Sequence, residues 1–235
     1  MKLPANGIMT LDDWFRTSPP MGGEKQWRDG RSAKELARYI TSALPNVPTE
    51  IEAVLSKLVS HDSAFAWDAE YITDFVSHNL GRGEGRNHDA IMVNDEIFVG
   101  IEGKADESLG SQYVGTALIE ASDNKKHRIN GMIEMLYGDS TEKHADIRYQ
   151  LVTAACATLL EAEMCGLHKA MLMVIVFKKS GCYSDEKVAA NERDIKFFLS
   201  HSNAIENADY WIVPTIYGRK NKIDFYFSEI TIELQ

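Results

Sequence analysis

Eight consecutive residues, Ala170 to Phe177, carry no polar side chain. A run of this length is far too short to cross a bilayer and fits a buried strand. Taken with the order of elements along the chain (helices, hairpin, helix, strand, helix, strands), it indicates a mixed sheet flanked by helices. The flanking pattern agrees. A long helix is expected near Asp146 to Met164, with Gly166 as its stop. A further helix is expected near 187–200, then a strand at 211–217 and an alternating closing strand at 223–234. Upstream, the first eighty residues read as helical. "SAKE" (Ser32 to Glu35) and "TEIE" (Thr49 to Glu52) have the form of capping boxes. Ile51, Val54, Leu55, Leu58 and Val59 keep the helical period. Another helix is predicted at 67–79.

Between these halves lies HDAIMVNDEIFVGIEGKADE, residues 88–107. Ile91, Val93, Ile97, Val99 and Ile101 read as two strands of a hairpin, with Asn94-Asp95 as its turn. Residues two apart on a strand share a face. Glu102 and Lys104 therefore point together, opposite to Val99 and Ile101, and Gly100 and Gly103 leave room for close approach. A turn at Asn94-Asp95 sets Asp89 opposite a residue near position 100, within a few residues of Glu102. Two carboxylates so placed suit a hard divalent cation such as Mg²⁺, which prefers oxygen ligands. An ammonium beside them can steady developing charge or help orient or deprotonate an attacking water. The constellation suits metal-assisted phosphodiester hydrolysis. The competing account makes Glu102 and Lys104 an exposed ion pair that guards a sheet edge against aggregation.

Composition narrows the classes. Hydrophobic residues at 44% and charged residues at 26% exclude a disordered chain. The three cysteines are odd in number and form no CxxC, so they suggest neither a disulfide framework nor a zinc site and point to a reducing cytoplasm. The opening MKLPANGIMTLDDWF has no apolar run of signal-peptide length. A net charge of −10 argues against a simple nucleic-acid coating protein, although a local basic strip can coexist with it. Candidate strips are Arg82 with Arg86, then Lys125, Lys126, His127 and Arg128, then Lys178-Lys179, and finally Arg219 and Lys220 with Lys222. "GRGEG" (Gly81 to Gly85) lacks dinucleotide spacing and reads as a turn. No HExxH, GxSxG or phosphate-binding GxxxxGK motif occurs.

Asp89, followed after twelve residues by Glu102-Gly103-Lys104 at a strand end, resembles the PD-(D/E)XK nuclease superfamily. His88 stands where that family often has proline. The resemblance implies a restriction-endonuclease-like α/β fold, with a mixed central sheet flanked by helices. It implies that residues 66–235 form the nuclease-like core, with the helical residues 1–65 as an extension packed on it. The helices read at Gln112 to Glu120 and Ile129 to Tyr137 depart from the family pattern, as an insertion at about 106–144 after the ExK strand that is longer than the minimal core needs. The family order of helix, three strands, helix and strand would run from about 66 to 178. Carried over, Asp89 and Glu102 become ligands of Mg²⁺ or Mn²⁺, and Lys104 the catalytic lysine. Gln150, beside Arg148, matches a Gln that several branches place on the helix after the ExK strand. Glu70, or Asp68 nearer the apolar side of its expected helix, would supply a further acidic group. The implied activity is Mg²⁺-dependent DNA hydrolysis of restriction, defence or repair type. A binding or scaffolding protein that kept the fold and lost the activity is the alternative. DNA is the expected partner, with Lys125, Lys126, Arg128, Arg219 and Lys220 as contact candidates. No membrane is expected, and a homodimer or a protein partner is left open.

Overall fold

The computed structural model describes residues 1–4, 6–81, 85–119, 121–179 and 184–234. Seven strands form one mixed sheet in the order β1-β2-β3-β4-β7-β6-β5. They are β1 (Ala66–Thr73), β2 (Arg86–Val93), β3 (Phe98–Lys104), β4 (Lys169–Lys178), β5 (Ile205–Asn207), β6 (Tyr210–Ile212) and β7 (Asp224–Glu233). β1, β2 and β3 form an antiparallel meander. β4 then joins β3 in parallel, and β7 joins β4 in parallel. β6 and β5 close the far side with antiparallel pairings. Most pairings are thus antiparallel, with the parallel ones at the centre, where both faces are covered.

β4 is that centre. Met171, Met173, Ile175 and Phe177 enter one apolar core, while Ala170, Leu172, Val174 and Val176 enter the other. This alternation explains a run with no polar position. The first core lies under the N-terminal helices α1 (Leu11–Thr17), α2 (Ser32–Ala43) and α3 (Thr49–Leu55). The second lies under α4 (Val114–Ile119), α5 (Asp123–Tyr137), α6 (Tyr149–Met164), α7 (Asp185–His201) and α8 (Ile216–Asn221). α6 is apolar almost all round, which is the mark of a buried helix. It lies so close to β3 that a Cβ on Gly100 would meet Thr158 Oγ1 at 2.5 Å and His88 Cε1 at 2.8 Å. Gly166 ends α6 as expected, in the left-handed region at φ 69°, with Leu167 N donating to Ala162 O at 2.8 Å. No helix among the described residues is long and apolar enough to cross a membrane.

Several local expectations fail for identifiable reasons. Residues 66–73 form β1 rather than the start of a helix. Trp67 and Tyr71 fit helical spacing, but buried Trp67 and Ala69 alternate with exposed Asp68, and pairing with β2 selects the strand. Neither "SAKE" nor "TEIE" makes its capping box, because Ser32 and Thr49 already lie inside their helices and Arg31 and Pro48 hold the cap positions. Glu35 instead accepts from Gly30 N at 2.7 Å. The reciprocal box forms at Thr10 and Asp13. The hairpin turn spans 94–97, with Asn94 Oδ1 accepting from Glu96 N and Ile97 N, so Val93 pairs with Phe98. The expected 211–217 strand is β6 followed by α8. Of the basic and glycine-rich residues near β2, Arg82 and the middle of "GRGEG" lie outside the described residues.

Candidate functional site

The four-residue turn decides where the carboxylates meet. Ala90 pairs with Ile101, and one further step along that register brings Asp89 level with Glu102. This is two positions beyond the expected partner near 100. Asp89 Oδ2 accepts from the Gly103 backbone N–H at 2.8 Å, which ties the end of β2 to the ExK segment. Val99 and Ile101 do face the N-terminal core, opposite to Glu102. Glu102 is 1% exposed, and β3 lies between β2 and β4. An edge-guarding ion pair is therefore excluded. Glu102 and Lys104 are not partners of one another either, since the carboxylate near Lys104 Nζ is Glu107 Oε1 at 3.8 Å.

Glu70 reaches the same place from β1, on a strand and not on the expected helix. It holds φ 52°, a left-handed conformation uncommon for a residue with a side chain. In a regular strand Ala69 and Tyr71 would share a face. Here Ala69 enters the N-terminal core and Tyr71 packs against the opposite one. The paired strand reverses in step: Ala90 faces the N-terminal core, while His88 lies against Gly100 on the α6 side. The two reversals bracket Glu70 and Asp89. Both carboxylates line a cleft of about 550 Å³, together with Lys104, Gln150, Arg86 and Asn87. Its opposite wall comes from residues 20–33 of the N-terminal layer, including Lys25 and Arg31. Asn87 Nδ2 donates to Glu70 Oε2 at 2.5 Å. Asp68 is exposed, with Oδ1 accepting from Ala69 N, and does not join the group.

Glu102 lies behind this wall. Gln150, on the first turn of α6, donates Nε2 to Glu102 Oε2 at 3.0 Å. Arg86 Nη2 is in contact with Glu102 Oε1, and His88 Nδ1 stands 3.5 Å from the same oxygen. These two residues carry the part of the site that sequence reading missed. Arg86 was visible only as one basic residue, and His88 only as the occupant of a proline position.

The electrostatics separate the carboxyls. Burial, then the neighbouring Glu102, push Asp89 up to about 7 against the pull of Lys104. Burial also raises Glu70, with Glu102 adding to it and the Asn87 hydrogen bond opposing. Burial works in the same sense on Glu102, but Arg86, His88 and Lys104 outweigh it and hold that carboxyl down at about 2. Burial lowers His88 and so favours its neutral ring. The result is one firmly ionised carboxylate beside two that resist ionisation. Among the described residues, no group of three or more His, Cys, Asp or Glu stands close enough together to hold a metal ion.

A family model described as a domain of unknown function, DUF6946, matches residues 8–233. The chain belongs to this family. No curated protein and no solved structure matches it. The DUF6946 match runs through α1–α3 as well as the sheet, so both walls of the cleft lie within it.

The basic candidates divide between the two ends of the molecule. Lys125 Nζ donates to Gln112 Oε1 at 3.3 Å and lies 5.6 Å from the centroid of the Tyr149 ring, next in sequence to Gln150. Arg128 donates Nε to Leu80 O at 3.1 Å, and Lys126 is exposed. This strip therefore neighbours the cleft end of α6. Arg219 and Lys220, with Lys222, sit on or beside α8, whose Tyr217 hydroxyl bonds Glu163 near the other end of α6. Lys222 O also receives His168 Nδ1, just before β4 begins. These residues are at the end of the sheet remote from Lys104.

Proposed function

We propose that the chain is a divalent-metal-dependent nuclease of restriction-endonuclease-like fold, hydrolysing DNA phosphodiester bonds. The observation that carries this reading is the gathering of Glu70, Asp89, Lys104 and Gln150 on one cleft, with Glu102 directly behind it. The order β1-β2-β3, then α6 beyond the inserted α4 and α5, then parallel β4 supports the fold assignment. The donor set fits Mg²⁺ or Mn²⁺. Its ligand atoms are hard carboxylate oxygens, and buried Glu102 Oε1 holds no aligned hydrogen-bond donor among the described residues. Asp89 and Glu102 would hold the cation. A cation there would supply Lewis-acid polarisation of the phosphodiester.

The remaining work falls to the chain itself. The Gly103 N–H orients Asp89 and the Gln150 amide orients Glu102, so each carboxylate has one oxygen fixed. The Lys104 ammonium, from the cleft floor, hydrogen-bonds the attacking water or the phosphate oxygen on which charge grows. A new P–O bond forms from that water, which gives up one proton to solvent, as the bond to the leaving deoxyribose oxygen breaks, and the leaving oxygen takes up a proton from solvent. Lys25, Arg31 and Arg86 bring positive charge to the walls, which offsets a net charge of −10 near a polyanion.

The test is cleavage of supercoiled plasmid and linear duplex DNA with Mg²⁺ or Mn²⁺, with chelator and Glu102→Gln as controls. Metal-dependent loss of substrate that both controls abolish is the expected outcome. Intact DNA with either ion ends the catalytic reading. The contact of Arg86 with Glu102 favours a second reading, an inactive binding protein whose site is neutralised from within. DNA binding without cleavage would select it.

A further inference from the structure

Among the described residues three guanidiniums meet buried carboxylates, Arg38 on Glu35, Arg86 on Glu102 and Arg148 on Asp194, and the last two do so differently. Arg148 Nε donates to Asp194 Oδ2 at 2.6 Å and Nη1 donates to Gly110 O at 3.2 Å. Its guanidinium also lies over the Tyr113 ring, 3.9 Å from the centroid. Arg148 is held from three sides. Arg86 touches Glu102 Oε1 through Nη2, yet neither its Nε nor its Nη2 makes an aligned hydrogen bond among the described residues. His88, also beside Oε1, has both ring nitrogens buried without such a bond. Two side chains thus crowd one carboxylate oxygen without closing a hydrogen bond on it.

A site shaped only to keep an arginine on a glutamate would use the two-pronged fork that makes such pairs strong. A charge pair without that fork keeps its attraction but has no geometry that fixes the guanidinium in one place. Position adds a second contrast. Arg86 lines the cleft and also touches Oε1 of the buried Glu102, which does not line it. Arg86 is the first residue of β2, and its side chain is 15% exposed where Glu102 is 1% exposed.

We infer that Arg86 is a displaceable counter-ion for Glu102. Without a cation its guanidinium neutralises the buried carboxylate. When a divalent cation occupies Oε1, like charges repel and the guanidinium turns into the cleft, where it meets a phosphate of the substrate. Arg86 is then a positioning residue for the ligand and a substrate contact in turn. This rests on the nuclease reading above.

The probe is Mn²⁺ itself, titrated calorimetrically into wild-type, Arg86→Met and Glu102→Gln proteins, with melting temperatures recorded with and without the ion. Removing the competing positive charge should tighten Mn²⁺ binding at least tenfold in Arg86→Met and enlarge its Mn²⁺-induced rise in melting temperature. Glu102→Gln should abolish binding. Equal Mn²⁺ affinity in wild type and Arg86→Met overturns the displacement inference and leaves the nuclease reading standing. No Mn²⁺ binding in any of the three removes both. If Arg86→Met does not fold without the ion, Arg86→Lys replaces it, with the charge kept on a shorter arm. An at least threefold gain in affinity is then expected, and an unchanged affinity overturns the inference.

Discussion

Replacing Asp89 with Asn should stabilise the protein, and the gain should depend on pH in a defined way. Burial, then Glu102, raise the Asp89 carboxyl from 3.8 to about 7. The folded chain therefore keeps a proton that the unfolded chain has released, and stability falls as pH rises from about 4 to about 7. Full ionisation at this position costs at most about 4 kcal/mol at 1.36 kcal/mol per pKa unit. Asp89 lines the cleft and its Oδ2 receives the Gly103 N–H at 2.8 Å. Screening there leaves roughly half, about 2 kcal/mol. Asn keeps an oxygen for the Gly103 bond and removes the charge.

Glu102 titrates in another window. Burial opposes its ionisation, but Arg86 and His88 hold it at about 2 against an ordinary 4.5. Its stabilising share is therefore complete above about pH 4.5 and lost below it, in both proteins alike. The assay is the melting temperature of wild type and Asp89→Asn from pH 4 to 8.5, without divalent ions. The difference should be small at pH 4, grow towards pH 7 and flatten above it. For a chain of this size it should reach about 4–8 °C, at roughly 2–4 °C per kcal/mol. A difference that does not change with pH, or a variant less stable than wild type at pH 8, would refute the reasoning.

Lys104→Ala should lower DNA cleavage at least about a hundredfold, with little change in Mn²⁺ affinity. Its melting temperature should stay within about 4 °C of wild type, because the ion pair Lys104 makes is with half-exposed Glu107 and Arg86 remains on Glu102. Asp194→Ala, away from the cleft, strands the Arg148 guanidinium and should cost about 3–5 kcal/mol, seen as a melting point lower by roughly 10 °C. Charge reversal at Lys125 and Lys126 should weaken DNA binding and flatten its dependence on salt, measured by fluorescence anisotropy. The same reversal at Arg219 and Lys220, at the far end of α6, should leave binding unchanged.

Sequence periodicity by itself determined the central strand, the helix before it and the hairpin that carries Asp89, Glu102 and Lys104. Those elements follow from side chains a few positions apart: an unbroken apolar run, a helical period ended by glycine, and an alternation of two. Where two local periods coexist, as in Trp67, Ala69 and Tyr71, the local pattern cannot choose, and pairing with β2 makes the choice. The same limit applies to "SAKE" and "TEIE". A capping box is a backbone geometry, and there the chain enters each helix one residue earlier. Glu70 was named as a candidate on the wrong element; it reaches the cleft only because its left-handed backbone reverses the strand beside Asp89. Tertiary structure alone decided the partners of Glu102. Arg86 and His88 come to it across the antiparallel register of the meander, and Gln150 comes from α6, which follows the insertion in sequence. None of these distances is short along the chain, and a buried carboxylate takes whichever donors the packing of the whole sheet brings within reach.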